Sequence, residues 1–392
     1  MSTAARPLPG EPIRIGVAGL GAVAQAVHLP ILAKLDDVFA IAGLADLSPS
    51  LRNRLGTRYG VPQAARVGSV DELLALPGLD GVVILTSGSH GAAALAALDR
   101  GLAVLCEKPL ATTIAEADRL TASGRADRLL LGYMKTFDPA VEEARRIVVA
   151  EAATLGDLRA IDVTVLHPTS QAQLAFARIS PPPDDVDPAV LGPLQAESER
   201  LVAAAIGSEA AARFGRLYGG ILLGSIVHEL SVIRAVTGDT SPLEIDLVDV
   251  WPDAVWPPCV AILGRQSNGV RVSIKWLFLD EYPAYREDVR FHHRGGSVEL
   301  TFPAPYRLHE PTILRVEIGA AETRRRIVFD SVEEAFEREI LAFADLVRDG
   351  APPRTSVADG RTDTITCQRM AAAFAARIGV PIGGEAAQAI SA

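Results

Sequence analysis

The triplet Glu107-Lys108-Pro109 stands directly behind the apolar run Ala103-Val104-Leu105-Cys106, and Ala111-Thr112-Thr113 then leads into a helix start at Ile114-Ala115-Glu116. A carboxylate and an ammonium at such a strand-to-helix junction lie where open α/β sheets hold their ligands, outside the carboxyl ends of the strands. Lys108, desolvated beside a cationic ring, would act as a proton acceptor or as a fixed positive charge for a developing alkoxide. Its plainer role is an ion pair with Glu107. The second candidate is His228, inside the apolar stretch from Gly219 to Val236, where an imidazole must find a partner. Metal chemistry is not expected. The seven histidines show no H-x-x-x-H spacing, and the adjacent His292 and His293 point to opposite faces of a strand.

The elements that would position these groups begin at Ile13-Arg14-Ile15-Gly16-Val17-Ala18, a buried-strand pattern that runs into Gly19-Leu20-Gly21-Ala22-Val23-Ala24. This is the G-x-G-x-x-A form of the dinucleotide fingerprint. Gly19 permits the tight turn, Gly21 lets a pyrophosphate approach the backbone, and Ala24 lets helix pack on strand. The N–H groups of Ala22 and Val23 at the helix start face the anion. A helix is expected from Gln25 to Leu35, then a strand at Phe39 to Ala45 ending at Asp46. Asp46 is placed to take a ribose 2′-hydroxyl, with a helix cap as its structural alternative. Leu47 follows where a basic residue would favour a 2′-phosphate, so NAD is preferred to NADP, although Arg52 and Arg54 lie close. Helix from Ser69, strand Gly81 to Leu85, helix Gly91 to Arg100 and the strand into Glu107 continue the alternation of a doubly wound parallel sheet. Thr86 and His90 border the same crevice.

The 392 residues exceed what one core usually supports, so two domains are expected. With 38 basic against 48 acidic side chains, neither nucleic acid nor an anionic membrane suits the chain as a partner. The longest apolar run, Gly219 to Leu230, is broken by His228 and Glu229 and is too short to span a bilayer. Cys106, Cys259 and Cys367 are too scattered for a disulfide framework. A cytoplasmic protein is the expectation.

Taken together, Gly19-x-Gly21-x-x-Ala24, His28-x-Pro30, Thr86 with His90, Glu107-Lys108-Pro109 and Gly132-Tyr133-Met134-Lys135-Thr136-Phe137-Asp138-Pro139 resemble the glucose-fructose oxidoreductase, inositol dehydrogenase and rhizopine-catabolism family. The match continues more faintly from Gly219 to His228. The resemblance implies an α/β chain: an amino-terminal Rossmann domain over 13–135, behind a tail at 1–12, and over 136–392 an α+β domain with a large, open, mostly antiparallel sheet, for substrate binding and oligomerisation, with packing of its carboxyl-terminal helices back on the first domain left open. It implies a homodimer or homotetramer formed through that sheet, and a sugar or polyol substrate. It further implies Lys108 at the nicotinamide and substrate hydroxyl, a cis bond before Pro109, and His228 as the acid/base. Lys135, His167 and Tyr285 fall where that family lines its substrate pocket. One departure is Gly224, where the family places an aspartate four residues before the histidine. Glu229 points about 100° away on a helix and cannot simply replace it.

Beyond Tyr133 the pattern changes. Leu158 to Val165 alternates with period two, as a half-exposed strand does. Ile179 to Asp187, with Pro181-Pro182-Pro183, reads as a loop and Gln195 to Ile206 as a helix. Further strands are expected from Glu244 to Phe329, with a hairpin turn at Ser267-Asn268-Gly269, and a closing helix over Val332 to Arg348. The reading as a whole is an NAD(H)-dependent oxidoreductase of a sugar, cyclitol or glycoside hydroxyl. A nucleotide-binding sensor and an NADP-dependent reductase remain open beside it.

Overall fold

Ile13, Ile15, Val17 and Ala18 have no exposed surface, the continuous burial that a strand covered on both faces requires. They belong to β1 (Ile13–Ala18) in a computed structural model that describes residues 10–169, 174–175, 177–179, 183–253, 255–320 and 322–389. The expected tail up to residue 9, and Pro181-Pro182 of the expected loop, lie outside the described residues. Contacts along the chain gather it into two units. The first comprises the residues up to Tyr133 with Arg178–Val202 and Phe336–Arg361; the second comprises Met134–Ala177, Ala203–Ala335 and the residues from Thr362 onward.

In the first unit β1 joins β2 (Phe39–Ala45), β3 (Arg66–Val67), β4 (Gly81–Ile84), β5 (Ala103–Glu107) and β6 (Leu129–Gly132). The order is β3-β2-β1-β4-β5-β6 and every pairing is parallel. The order reverses between β1 and β4, the place where such sheets open a crevice beyond their carboxyl ends. Local chemistry fixes the helix starts. Thr113 and Glu116 form a reciprocal capping box, and the Ser48 and Ser69 hydroxyls cap their helices by accepting from Leu51 N at 3.1 Å and Glu72 N at 3.2 Å. The helix after the Gly-rich turn begins at Ala22 and passes through a π-type segment, Ala24–His28, into the α-helix Leu29–Lys34.

The second unit holds an eight-stranded sheet built from β7 (Leu158–His167), β8 (Glu244–Trp251), β9 (Cys259–Arg265), β10 (Arg271–Phe278), β11 (Arg286–His293), β12 (Gly296–Phe302), β13 (Ile313–Ala320) and β14 (Thr323–Phe329). Its order is β14-β13-β12-β11-β7-β10-β9-β8. All pairs are antiparallel except β7 with β10 at the centre. Ile161, Val163 and Val165 are buried while Asp162 between them is exposed, so the period-two reading of β7 holds. At the expected hairpin turn Gly269 takes φ +86°, and Asn268 Oδ1 accepts from Val270 N at 3.1 Å.

His228 sits on a longer helical rod than the apolar run suggested. Ser208–Leu217, kinked at Phe214 where φ is −144° and ψ 24°, is followed directly by a π-type segment Tyr218–Ile226 and by Val227–Thr237. By length and composition Ser208–Thr237 could cross a membrane, but 61% of its apolar window is buried inside the protein. Tyr218, Leu222, Ile226 and Val232 have no exposed surface.

Candidate active site

At the end of β1 the chain turns at Gly19 with φ +88°. A Cβ there would lie 2.6 Å from the carbonyl carbon and oxygen of Leu85, so no other residue fits. At Gly21, by contrast, a Cβ would meet nothing within 4 Å. The space above this turn is therefore open, as a pyrophosphate cradle needs, and Ala22 and Val23 begin the helix beside it. These residues fit a dinucleotide.

Asp46 follows β2 and is already engaged with the turn: its Oδ2 accepts from Leu20 N at 2.7 Å and its Oδ1 from Ser48 N at 2.8 Å. Each carboxylate oxygen keeps a second lone pair for a ribose hydroxyl. Arg52 donates to the backbone carbonyls of Asp46 and Leu47, and Arg54 to Gln25 Oε1.

Around the Glu-Lys-Pro triplet the structure distinguishes roles that the sequence left open. The Lys108-Pro109 bond is cis. Glu107 turns inward: its Oε1 lies 3.1 Å from Nε2 of the fully buried His28, and its Oε2 accepts from Lys108 N at 3.1 Å. Burial would raise this carboxyl, but the hydrogen bond and charge of His28, helped by Lys108 and His90, outweigh it and hold Glu107 below its usual range. Glu339 behind it is raised by burial and by the charge on Glu107. The Lys108 side chain is half-buried at the carboxyl end of β5. His90 is a latch. Its Nδ1 lies 2.6 Å from Pro109 O and its Nε2 2.6 Å from Thr86 O, tying the end of β4 to the cis proline. Both bonds form together only when both ring nitrogens carry protons.

In the second unit His228 is half-buried and shares a half-exposed helix face with Gly224 and Ser225. Ser225 Oγ accepts from Trp276 Nε1 at 3.0 Å. The Trp276 ring lies 5.0 Å from that of His167, which also meets Tyr285 edge-on at 5.7 Å. His167 Nδ1 donates to Pro168 O at 2.7 Å, and burial pushes its pKa down, so the ring is neutral with Nε2 as an acceptor. Tyr285 Oη donates to Glu287 Oε2 at 2.8 Å, and Lys135 Nζ donates to the same oxygen. Glu229, which follows His228, has its Oε1 3.5 Å from Lys135 Nζ. A chain of contacts thus runs from Ser225, on the helix that carries His228, through Trp276, His167, Tyr285 and Glu287 to Lys135.

Glu229 and Glu287 are completely buried and share one lysine. Burial, then the like charge of Glu287, pushes Glu229 up to about 8, with Lys135 pulling the other way. The cluster is neutral when Glu229 is protonated, Glu287 charged and Lys135 charged. Lys135 is therefore engaged inside the protein by the Glu287 carboxylate and the Glu229 carboxyl, which the helix turns toward this pair. Glu287 stood unremarked beside Tyr285; an acid in step with the apolar positions Val289 and Phe291 of its strand, in a segment carrying a candidate tyrosine, was the available signal. Among the described residues no group of three His, Cys, Asp or Glu side chains gathers to hold a metal ion.

A six-stranded parallel sheet with a Gly-rich turn at its switch point, followed by a large mostly antiparallel sheet, defines the class of Rossmann-fold nicotinamide-dependent oxidoreductases. Residues 13–132 match the family described as "Oxidoreductase family, NAD-binding Rossmann fold". A myo-inositol 2-dehydrogenase from Thermotoga maritima is 23% identical over 362 residues, 89% of this chain and 92% of the relative. An inositol 2-dehydrogenase/D-chiro-inositol 3-dehydrogenase from Shouchella clausii is 34% identical over 130 residues, 32% of this chain and only 37% of the relative. Among solved structures, a 3-ketoreductase from Actinomadura kijaniata in complex with TDP-benzene and NADP superposes with a TM-score of 0.67 at 20% identity, covering 93% of this chain and 96% of the other. Over residues 13–132 the chain is thus similar to that oxidoreductase family, and over most of its length it resembles an inositol dehydrogenase at lower identity.

Proposed function

We propose that this protein is an NAD(H)-dependent oxidoreductase of a secondary hydroxyl on a sugar, cyclitol or glycoside. It would act in the cytoplasm as a dimer or tetramer formed through the eight-stranded sheet. One observation carries the reading: the open Gly19-Gly21 turn and Lys108 stand at the carboxyl ends of β1 and β5, on the same edge of one parallel sheet. Gly19, Gly21, Ala22, Val23 and Asp46 would hold the dinucleotide, with Thr86, Glu107 and His90 shaping the strand ends. The nicotinamide, when bound, supplies the hydride exchange.

The chain's own residues divide the remaining work. His228 takes the hydroxyl proton, and the Lys108 ammonium stabilises the oxygen as it loses that proton. His167, neutral and with Nε2 free to accept, orients a further hydroxyl. Tyr285 and Lys135, locked onto Glu287, act from behind as a rigid wall. Relatives that are inositol 2-dehydrogenases support a cyclitol among the candidates.

The test is the rise of NADH absorbance on addition of NAD and a panel of cyclitols, aldoses and glycosides. At least one substrate should turn over in the wild type, with activity falling by about 100-fold or more in Lys108→Ala and His228→Ala. Tight NAD binding without turnover on any member would replace the reading with that of a nucleotide sensor.

A further inference from the structure

The helix that follows Asp46, Pro49–Arg58, already carries an anion at its amino terminus. Asp185, from the segment between β7 and the Pro188–Ile206 helix, places Oδ1 2.6 Å from the donating Ser48 hydroxyl and Oδ2 2.8 Å from the donating Ser50 N–H. These bonds hold its carboxyl below the usual range. Ser48 is the cap of that helix and also donates its N–H to Asp46 Oδ1. Asp46, Ser48 and Asp185 therefore form one hydrogen-bonded row.

The position has a meaning in a dinucleotide-binding sheet. The acid after β2 takes the ribose 2′-hydroxyl, and a 2′-phosphate, where it is accepted, sits beside that acid on neighbouring cationic or hydrogen-bonding groups. A serine hydroxyl, a backbone N–H and the positive end of a ten-residue helix are suitable groups for it. In this chain Ser48 and Ser50 have that chemistry, and both are taken up by a carboxylate of the chain itself. The guanidinium groups of Arg52 and Arg54, which could add to a phosphate site, are directed at the Asp46 and Leu47 carbonyls and at Gln25.

We propose that Asp185 is a specificity-determining residue, a built-in anion that occupies the 2′-phosphate position and makes the protein select NAD over NADP. The inference rests on the cofactor reading given above. A phosphate arriving there would have to displace the carboxylate from two hydrogen bonds, and would face its negative charge if it did not.

The test is titration of the full-length protein with NAD and with NADP, comparing wild type, Asp185→Asn and Asp185→Ala. The asparagine keeps the shape and removes the charge; the alanine also vacates the position. The expected result is that the wild type prefers NAD. Both variants should bind NADP about tenfold more tightly or better, with alanine exceeding asparagine, while NAD affinity changes less than about threefold. Retained NAD binding also shows that each variant is folded. If NAD binds normally and neither variant gains affinity for NADP, Asp185 is only a helix cap and the inference falls, with the cofactor reading intact. A wild type that prefers NADP overturns it equally. A wild type that binds neither nucleotide overturns the cofactor reading itself, and this inference with it.

Discussion

Glu229 keeps its proton into the neutral range because burial and the charge on Glu287 act against one compensating ammonium, that of Lys135. The consequence for stability has a definite sign. The folded value, about 8, lies above the ordinary 4.5, so between those values the folded protein holds a proton that the unfolded chain has released. Stability is fully present below 4.5 and falls as pH rises toward 8, at up to about 1.4 kcal/mol per unit. Glu229→Gln keeps the shape and removes the titration. The variant should match the wild type near pH 5 and exceed it at pH 8 by an amount on the order of a few kcal/mol, read from thermal melts across that range. A gap independent of pH would show that Glu229 is charged in the folded protein. Such a cluster is hard to see from sequence. Lys135 and Glu287 are 152 positions apart, and only the sheet's register, with Glu287 opposite Val165 of β7, brings them into one interior.

At the scale of elements, the Gly-rich turn makes two demands that the same motif spells with the same letter. Gly19 is needed by the fold: its φ is +88° and a side chain would strike Leu85. Gly21 meets no part of the protein. Gly19→Ala should therefore lower the melting temperature, by about 1–3 kcal/mol of strain, and weaken NAD binding with it. Gly21→Ala should leave the melting temperature unchanged and weaken NAD binding by about tenfold, because only the arriving pyrophosphate needs the space. Equal effects on melting would refute the division. The elements themselves were legible because their periods are local: continuous apolar runs gave the parallel strands, alternation gave β7, and Thr113 with Glu116 announced a helix start. The π-type segments at Ala24–His28 and Tyr218–Ile226 were not, since the apolar spacing of a π turn resembles that of an α turn over so few residues. Nor could local pattern reveal that His90 is occupied by two carbonyls, or that Asp185 caps a helix 135 residues earlier.

At the scale of the whole molecule, the amino-terminal unit is not made by the amino-terminal sequence alone. The helix Ala335–Asp349 places Phe336, Ile340, Phe343, Leu346 and Val347 in the interior, each no more than 5% exposed. Phe343 lies so close to Gly81 of β4 that a Cβ there would come within 2.9 Å of its ring. Lys34 pairs with Glu337 at 2.5 Å, Thr355 O accepts from Leu131 N at 3.0 Å beside β6, and Leu110 and Leu131 close against Gly360. Burying five such side chains contributes about 1.5–3 kcal/mol apiece, roughly 10 kcal/mol together, as much as the whole net stability of a typical domain. A fragment of residues 10–135 carries every Rossmann strand and the complete fingerprint, yet should not form a cooperative unit by itself. It should keep much of its far-ultraviolet dichroism, lose its near-ultraviolet signal and bind a hydrophobic dye. Adding a peptide of residues 334–361 in trans should restore a sharp thermal transition, and NAD should then raise its midpoint. A 10–135 fragment that melts cooperatively without the peptide would show that those five side chains are a covering and not part of the core.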